Sequence, residues 1–232
     1  MKLDKPTIDI LNNLSKINPG LVFKEGNVLM ARAQSAPSPI VRVEFAKTSF
    51  PQDFAIYDIH KFLSVIALFD DPELGFTKTA VTIKSGKKSA SIKYAAAAMI
   101  SHPDYSKQKP LNFTVDTTFS LPDADFKQLI NAVKVFGCDE VAIQGSGGEL
   151  IVSTRDSKNP GNDSYSVSVG ETDHQFDFIV NSMFLQMPVR NYNISLSFRG
   201  LCEFQSANED NTVQYWVTAS DKSKFPKVNT NA

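Results

Sequence analysis

The feature that most constrains this chain is a unit it uses twice: an alternating strand, a polar capping residue, one short amphipathic helix, then hairpin strands. Phe54-Ala-Ile56 leads through Tyr57 and Asp58 into a segment carrying Ile59, Phe62, Leu63, Ile66 and Phe69. Phe119-Ser-Leu121 leads through Pro122 and Asp125 into one carrying Phe126, Leu129, Ile130, Val133 and Phe136, and Leu74 and Val141 open the strands that follow. The apolar positions match one for one. Residues at i, i+3, i+4 and i+7 lie along one face of a helix, so each segment needs a sheet or helix to cover that face. A unit repeated within a chain signals duplication, and duplicated architectures often bind other symmetric objects.

A chain of 232 residues, 42% of them hydrophobic, fills either one large β-rich domain or two ordinary ones, and the duplication favours two. Its two cysteines, Cys138 and Cys202, share no CxxC spacing. They are expected to be plain core thiols in a reduced, intracellular setting rather than a disulfide or zinc framework. No apolar run approaches the ~20 residues that cross a bilayer, and the amino terminus lacks a charged-then-apolar leader pattern. The expectation is a soluble, non-exported protein without membrane partners.

The first helix is predicted over Pro6 to Ile17, with Asp4 as cap, Ile10, Leu11, Leu14 and Ile17 on one side, and Asn18-Pro19-Gly20 as its stop. Leu21 and Phe23, Val28 and Met30, and Val41, Val43 and Phe45 alternate as strands, with Ser35 to Pro39 as a loop. The second helix runs from Asp58 to Phe69 and stops at Asp70-Asp71-Pro72; strands follow at Leu74–Phe76, Val81–Ile83 and Ser91–Tyr94. Ala95 to Ala98 reads as a helical turn or a strand end. Composition changes over Ser101 to Pro110, which is taken as the connector.

In the second half Asp125 is predicted to cap the third helix, with Gln128 in capping-box spacing and Gly137 at its end. Strands are expected at Val141–Ile143, Leu150–Ser153, Tyr165 to Val169 and Phe176 to Phe178. Asp156 to Asn162 is a surface loop, and Asn181 caps a short fourth helix from Ser182 to Met187. Two last strands carry Ile194, Leu196 and Phe198, and Val213, Tyr215 and Val217, before a polar tail after Phe225.

No catalytic constellation emerges. His60, His102 and His174 fall on a helix face, in the connector and in a turn, with no metal-ligand or nucleophile–base spacing. Gly86-Lys87-Lys88-Ser89 is the end of a phosphate loop without its start, since position 81 is valine and no helix follows. No metal and no cofactor is implied, and the chain is read as not an enzyme. The formal charge is −1, so the molecule as a whole has no basic excess. Acids gather in turns, at Asp70, Asp71 and Glu73, Asp139 and Glu140, Glu171 and Asp173, and Glu209 and Asp210, while lysines recur on the polar faces of the helices.

Met1-Lys2-Leu3-Asp4-Lys5 ahead of a helix ending Ile17-Asn18-Pro19-Gly20, Ala55-Ile56-Tyr57-Asp58 before Phe62-Leu63, and Asn181 through Met187 to Asn191-Tyr192 together resemble the sliding clamps of T-even-type tailed bacteriophages. The resemblance runs in order along nearly all of the chain to about Phe225. It implies an α+β DNA-clamp (processivity) fold, ring-forming, with two similar domains each having two helices packed on antiparallel sheets: an N-terminal domain 1–108, a C-terminal domain 109–225 and a flexible tail 226–232. It implies a DNA polymerase processivity factor, three copies closing head to tail around double-stranded DNA. It further implies a DNA polymerase and an ATP-driven clamp loader as partners, a late-transcription sigma-like factor as another, and the cytoplasm of the infected bacterial host as the place. The loops at Ser35–Pro39 and Asp156–Asn162 and the tail from Pro226 depart from that pattern.

On this reading Lys5, Lys16, Lys61, Lys127, Lys134 and Arg190, with Lys2 beside them, face the DNA, because loosely held cations attract phosphates without reading bases. Phe113, after the connector, and Trp216, on the last strand, are the expected lining of a pocket for apolar partner tails. The rival reading is a β-rich phage structural or interaction protein that does not encircle DNA.

Overall fold

Both repeated helices put their apolar stripe inside. In the computed structural model, which describes residues 1–34, 39–105, 110–156, 158–159, 161 and 163–226, α2 (Ile59–Ile66) buries Ile59, Phe62, Leu63 and Ile66. Its counterpart α3 (Asp123–Phe136) buries Phe126, Leu129 and Ala132, with Ile130 and Val133 half-buried. The predicted loop at 35–38, part of the connector (106–109), parts of the loop at 157–162 and the tail at 227–232 lie outside the described residues. The chain forms two compact units, one of Met1–Pro110 with Ala207–Gln214, the other of Leu111–Ser206 with the chain from Tyr215 onward.

In the first unit α1 (Lys5–Ile17) begins as expected, the Asp4 carboxylate accepting from the Thr7 N–H at 2.9 Å and Pro6 sitting in the first turn. It lies against α2, which the Asp58 carboxylate caps at the Lys61 N–H, 2.8 Å away. β1 (Leu21–Phe23) pairs antiparallel with β4 (Phe54–Ile56), and β2 (Val28–Arg32) with β3 (Ile40–Phe45). β5 (Glu73–Phe76), β6 (Ala80–Ser85) and β7 (Lys88–Lys93) form a three-stranded antiparallel sheet. The core between helices and sheets holds a ring cluster: Phe23 stacks on Phe54 with centroids 4.4 Å apart, and Phe50 meets both edge-on. A second cluster gathers Val22, Met30, Ala55 and Ile100 around Tyr105, whose hydroxyl accepts from the Met30 N–H and sits within 2.7 Å of the Met30 carbonyl.

In the second unit β8 (Thr117–Leu121), β13 (Tyr192–Ser197) and β14 (Leu201–Ala207) run in that order, followed by the later residues of β15 (Asn211–Thr218). The earlier residues of β15 lie beside β3 in the first unit, where the Arg42 guanidinium reaches Gln214 Oε1 at 3.1 Å. A separate sheet has the order β11 (Ser166–Glu171), β10 (Glu149–Arg155), β9 (Glu140–Ser146), β12 (Phe176–Asn181). Phe126 on α3 packs edge-on against Tyr192 with centroids 5.3 Å apart, joining the helix to β13.

Four details of the sequence reading are corrected. Asp125 does not cap α3: the helix begins at Asp123, after Pro122, and Asn191 Oδ1 accepts the Asp123 N–H at 2.9 Å from 68 residues away. Gln128 therefore makes no capping box, and its amide oxygen takes the Tyr165 hydroxyl at 3.0 Å. The expected fourth helix is a single 3₁₀ turn, Ser182–Leu185, capped by Asn181. β14 was absent from the reading, although Cys202, Phe204 and Ser206 alternate inward along it. The alanine stretch resolves into a 3₁₀ turn, Ala97–Met99.

Gly145 on β9 has no room for a side chain, because a Cβ there would stand 2.3 Å from the His174 carbonyl oxygen and 2.6 Å from the Phe176 ring. Replacing it with alanine forces backbone to move, and Gly145→Ala is expected to lower unfolding free energy by about 1–3 kcal/mol in urea titration. Tyr105, Tyr192, Tyr215 and the Cys202 thiol are buried, and burial raises the pKa of each. A group whose folded pKa exceeds its unfolded value stabilises below the unfolded pKa and loses that contribution as pH rises toward the folded one. Stability should therefore fall as pH climbs past the ordinary tyrosine value of 10.0, and Tyr105→Phe should flatten the fall. A pH series of chemical melts reads both effects.

Candidate nucleic-acid interface

Burying one stripe of a helix leaves the opposite stripe to water, and on all three helices that stripe carries lysine. On α1, Lys5, Asp9, Asn12 and Lys16 are spaced i, i+4, i+7, i+11 and are all exposed. On α2 the exposed positions are His60, Lys61 and Ser64; His60 Nε2 lies 3.3 Å from Ser15 Oγ on α1, across the helix pair. On α3, Lys127, Asn131 and Lys134 share one exposed face. The acids of α3, Asp123 and Asp125, are confined to its first turn, where they complement the positive end of the helix dipole.

The five helix lysines differ in their partners from five others. Lys2, Lys24, Lys47, Lys158 and Lys222 each hold a carboxylate, of Asp71, Asp53, Asp210, Asp139 and Glu140 respectively, and none of the five is on a helix. Lys5, Lys16, Lys61, Lys127 and Lys134 make no ion pair among the described residues. Lys2, expected beside them, is thus tied to Asp71. The acidic turns read from the sequence hold most of these anchoring carboxylates; Lys78, Lys84, Lys87, Lys88 and Lys93, on and beside β6 and β7, are exposed and, like the helix lysines, make no ion pair among the described residues.

Arg190 stands apart from this set. It is half-buried, next to the Asn191 that caps α3, and its charge acts on the buried Tyr192 and Tyr215 phenols, partly opposing the rise that burial gives them.

Phe113 is half-buried and lines a groove of about 550 Å³ with Asn112, Thr114, Ser197, Arg199 and Leu201. Leu111 and Val115 are exposed on the same extended segment. Trp216 is not part of it: its side chain is 1% exposed, so it belongs to the core of the second unit and offers no surface to a peptide. The groove residues that sequence reasoning missed, Ser197 to Leu201, come from the turn between β13 and β14, more than 80 residues from Phe113. Only the register of β8 on β13, which sets Thr117 opposite Leu196, brings the two together.

Residues 2–101 match the family described as DNA polymerase processivity factor. The chain is 27% identical over 209 residues to the sliding clamp of Vibrio phage KVP40, covering 88% of this chain and 94% of that protein. It is 28% identical over 216 residues to the sliding clamp of Enterobacteria phage T4, covering 86% and 89%. Among solved structures it superposes on A. fulgidus PCNA, bound there to the C-terminal region of FEN-1, with a TM-score of 0.68 at 12% identity over 92% or more of both chains, 94% and 96%. By sequence it is similar to the sliding clamps of T4-like phages, with a processivity-factor match over its first hundred residues, and by structure it has the DNA-clamp fold.

Proposed function

We propose that this protein is a homotrimeric ring that encircles duplex DNA and tethers the phage replicative polymerase. Each copy contributes two clamp domains, 1–108 and 109–225, and three copies close head to tail. The observation that carries this reading is that all three helices turn outward a face bearing lysines without an ion pair among the described residues, Lys5 and Lys16 on α1, Lys61 on α2, and Lys127 and Lys134 on α3. Lys5, Lys16, Lys61, Lys127 and Lys134 line the hole, and Arg190, next to the Asn191 that caps α3, flanks them.

Duplex DNA is a dense line of phosphates, so free amines on flexible stems are attracted at every position along it and specify none. Retention comes from ring topology and mobility from the weakness of each contact. A closed ring needs an ATP-driven loader to open it, and it works in the cytoplasm of the infected cell; among the described residues, no helix is long and apolar enough to cross a membrane. The groove beside Phe113 takes the apolar tail of the polymerase, and late-transcription factors of the phage use the same kind of contact.

The test is retention on DNA. The loaded protein should stay on a circular duplex and leave within minutes once the circle is cut; equal loss from cut and uncut DNA would sink the ring. Replacing Lys61, Lys127 and Lys134 together by Glu should abolish loading while leaving the solution mass at three chain masses. Each lysine removed should also lower the slope of log affinity against log salt by about 0.9. For the groove, Phe113→Ala should weaken binding of a polymerase tail peptide about tenfold or more in calorimetry, the effect typical of a buried aromatic anchor. Trp216→Phe should leave that affinity unchanged.

A further inference from the structure

Five lysines crowd one short stretch of the first unit. From Leu74 to Pro103 the chain carries Lys78, Lys84, Lys87, Lys88 and Lys93 and no aspartate or glutamate, in a molecule whose formal charge is −1. All five are exposed and make no ion pair among the described residues. Unpaired like charges set side by side repel one another, so a polyanion relieves them.

The sheet decides where they point. Leu74, Ile83 and Ala90 lie side by side across β5, β6 and β7, as do Phe76, Val81 and Ile92, and Leu74, Val81 and Ile83 are buried. On this inner face Leu74 lines a cavity of about 170 Å³ with Ile8 of α1 and Ile66 of α2. Alternate residues of a strand point to the opposite face. There the register sets Glu73, Lys84 and Ser89 in one row, Gly75, Thr82 and Ser91 in the next, and Ala80 beside Lys93 in a third. Lys78 stands in the turn between β5 and β6, and Lys87 and Lys88 at the turn between β6 and β7. The sheet thus stands between this surface and α1 and α2, and their lysines belong to a different surface.

The chemistry of the outer face selects its ligand. Lys84 and Lys93 lie about 13 Å apart along the strand direction, at about 3.3 Å per residue. That span covers about four phosphates of one duplex strand, at about 3.4 Å of axis each. Between the two lysines stand Thr82, Ser89 and Ser91, and hydroxyls and ammonium groups are both donors to phosphate oxygens. The nearby rings of Phe76 and Tyr94 are turned onto Phe54, with centroids 5.2 and 5.5 Å from it, so an unpaired base finds nothing to stack on. The rows hold no exposed apolar side chain either, and a protein segment needs such an anchor. Glu73, opposite Lys84, is the carboxylate of the face, and the lysines outnumber it.

We propose that this face is a second contact for duplex DNA, on which the phosphodiester backbone lies against Lys78, Lys84 and Lys93 outside the ring. It goes beyond the encircling function. A closed ring meets DNA only from outside until it is opened, and this contact holds the two side by side at that stage, weakly and without preference for sequence.

The experiment measures binding of the unloaded protein to a covalently closed circular duplex, without loader or ATP, by filter binding over a salt series. A closed ring cannot thread such a circle, so its helix lysines do not reach the DNA. Wild type should bind the circle. K78E/K84E/K93E should bind it about tenfold or more weakly, and the slope of log affinity against log salt should fall by about 0.9 for each lysine. K61E/K127E/K134E, which cannot load, should bind the circle as wild type does. Light scattering and circular dichroism establish that the variants assemble and fold, and where the reversal does not, K78Q/K84Q/K93Q carries the same comparison. A wild-type protein that ignores the circle, a folded sheet variant that binds it unchanged, or loss of binding in the helix variant instead would overturn the outer contact. Binding of polyglutamate in place of duplex would overturn it too, by giving the face to an acidic protein segment. The ring reading fails on a different readout, loss of the loaded protein from an uncut circle, and the sheet variant once loaded should be retained there like wild type.

Discussion

Everything in this molecule follows from the need to bury one apolar stripe on each of three helices. Ile10, Leu11 and Leu14 on α1, Ile59, Phe62, Leu63 and Ile66 on α2, and Phe126 and Leu129 on α3 are removed from water, and the helical period then decides where every other side chain points. Lysines at 5, 16, 61, 127 and 134 face outward because they occupy the residues between, without any interaction of their own to hold them there. The candidate surface is thus the remainder of the packing solution. A change in the stripe that rotated a helix by one residue would turn its lysines by about 100° and disperse the surface without touching a single charge.

Sheets pose the opposite problem, since their backbone groups want partners at both edges. The fold answers it locally at β5, with the amino-terminal residue, and at β12, with Lys224 near the end of the described chain. The outer edges of β7 and β11 receive no hydrogen bond among the described residues.

What the sequence made legible was whatever has a local cause. The helix stripes, the Asp4 and Asp58 caps, and the alternating strands depend on residues within one or two turns of each other, and they stand in the structure where the spacing puts them. Asp125 was misread as a cap because the group that does cap α3, Asn191, is distant in sequence and adjacent only through the β13–β8 pairing. β14 escaped because cysteine and serine occupy two of its inward positions, so that the alternation is weak in hydrophobicity although complete in burial. Tyr105, in a segment that reads as a polar connector, ties Met30 and Val22 together through a hydroxyl, which no periodicity reveals. Trp216 was drawn to the surface by its chemistry and placed in the core by its strand, whose residues from Val213 to Val217 are buried on both faces.

The near-zero net charge is the condition under which such a surface works. Acids at the turns are engaged by Lys2, Lys47, Lys158 and Lys222, so the molecule is neutral overall while its helix faces are not. At physiological salt a field of this kind reaches only about 8 Å, so the helix amines act on a polyanion already beside them and draw little from a distance. That the five cations are all lysine matters in the same direction. An arginine fork would lock onto a phosphate through two parallel hydrogen bonds, whereas an ammonium is a point charge on a flexible stem, indifferent to the angle of approach. On the proposed reading, five such charges per copy would let a bound phosphate be exchanged for its neighbour with little loss, the behaviour asked of a surface that holds a duplex without stopping on it.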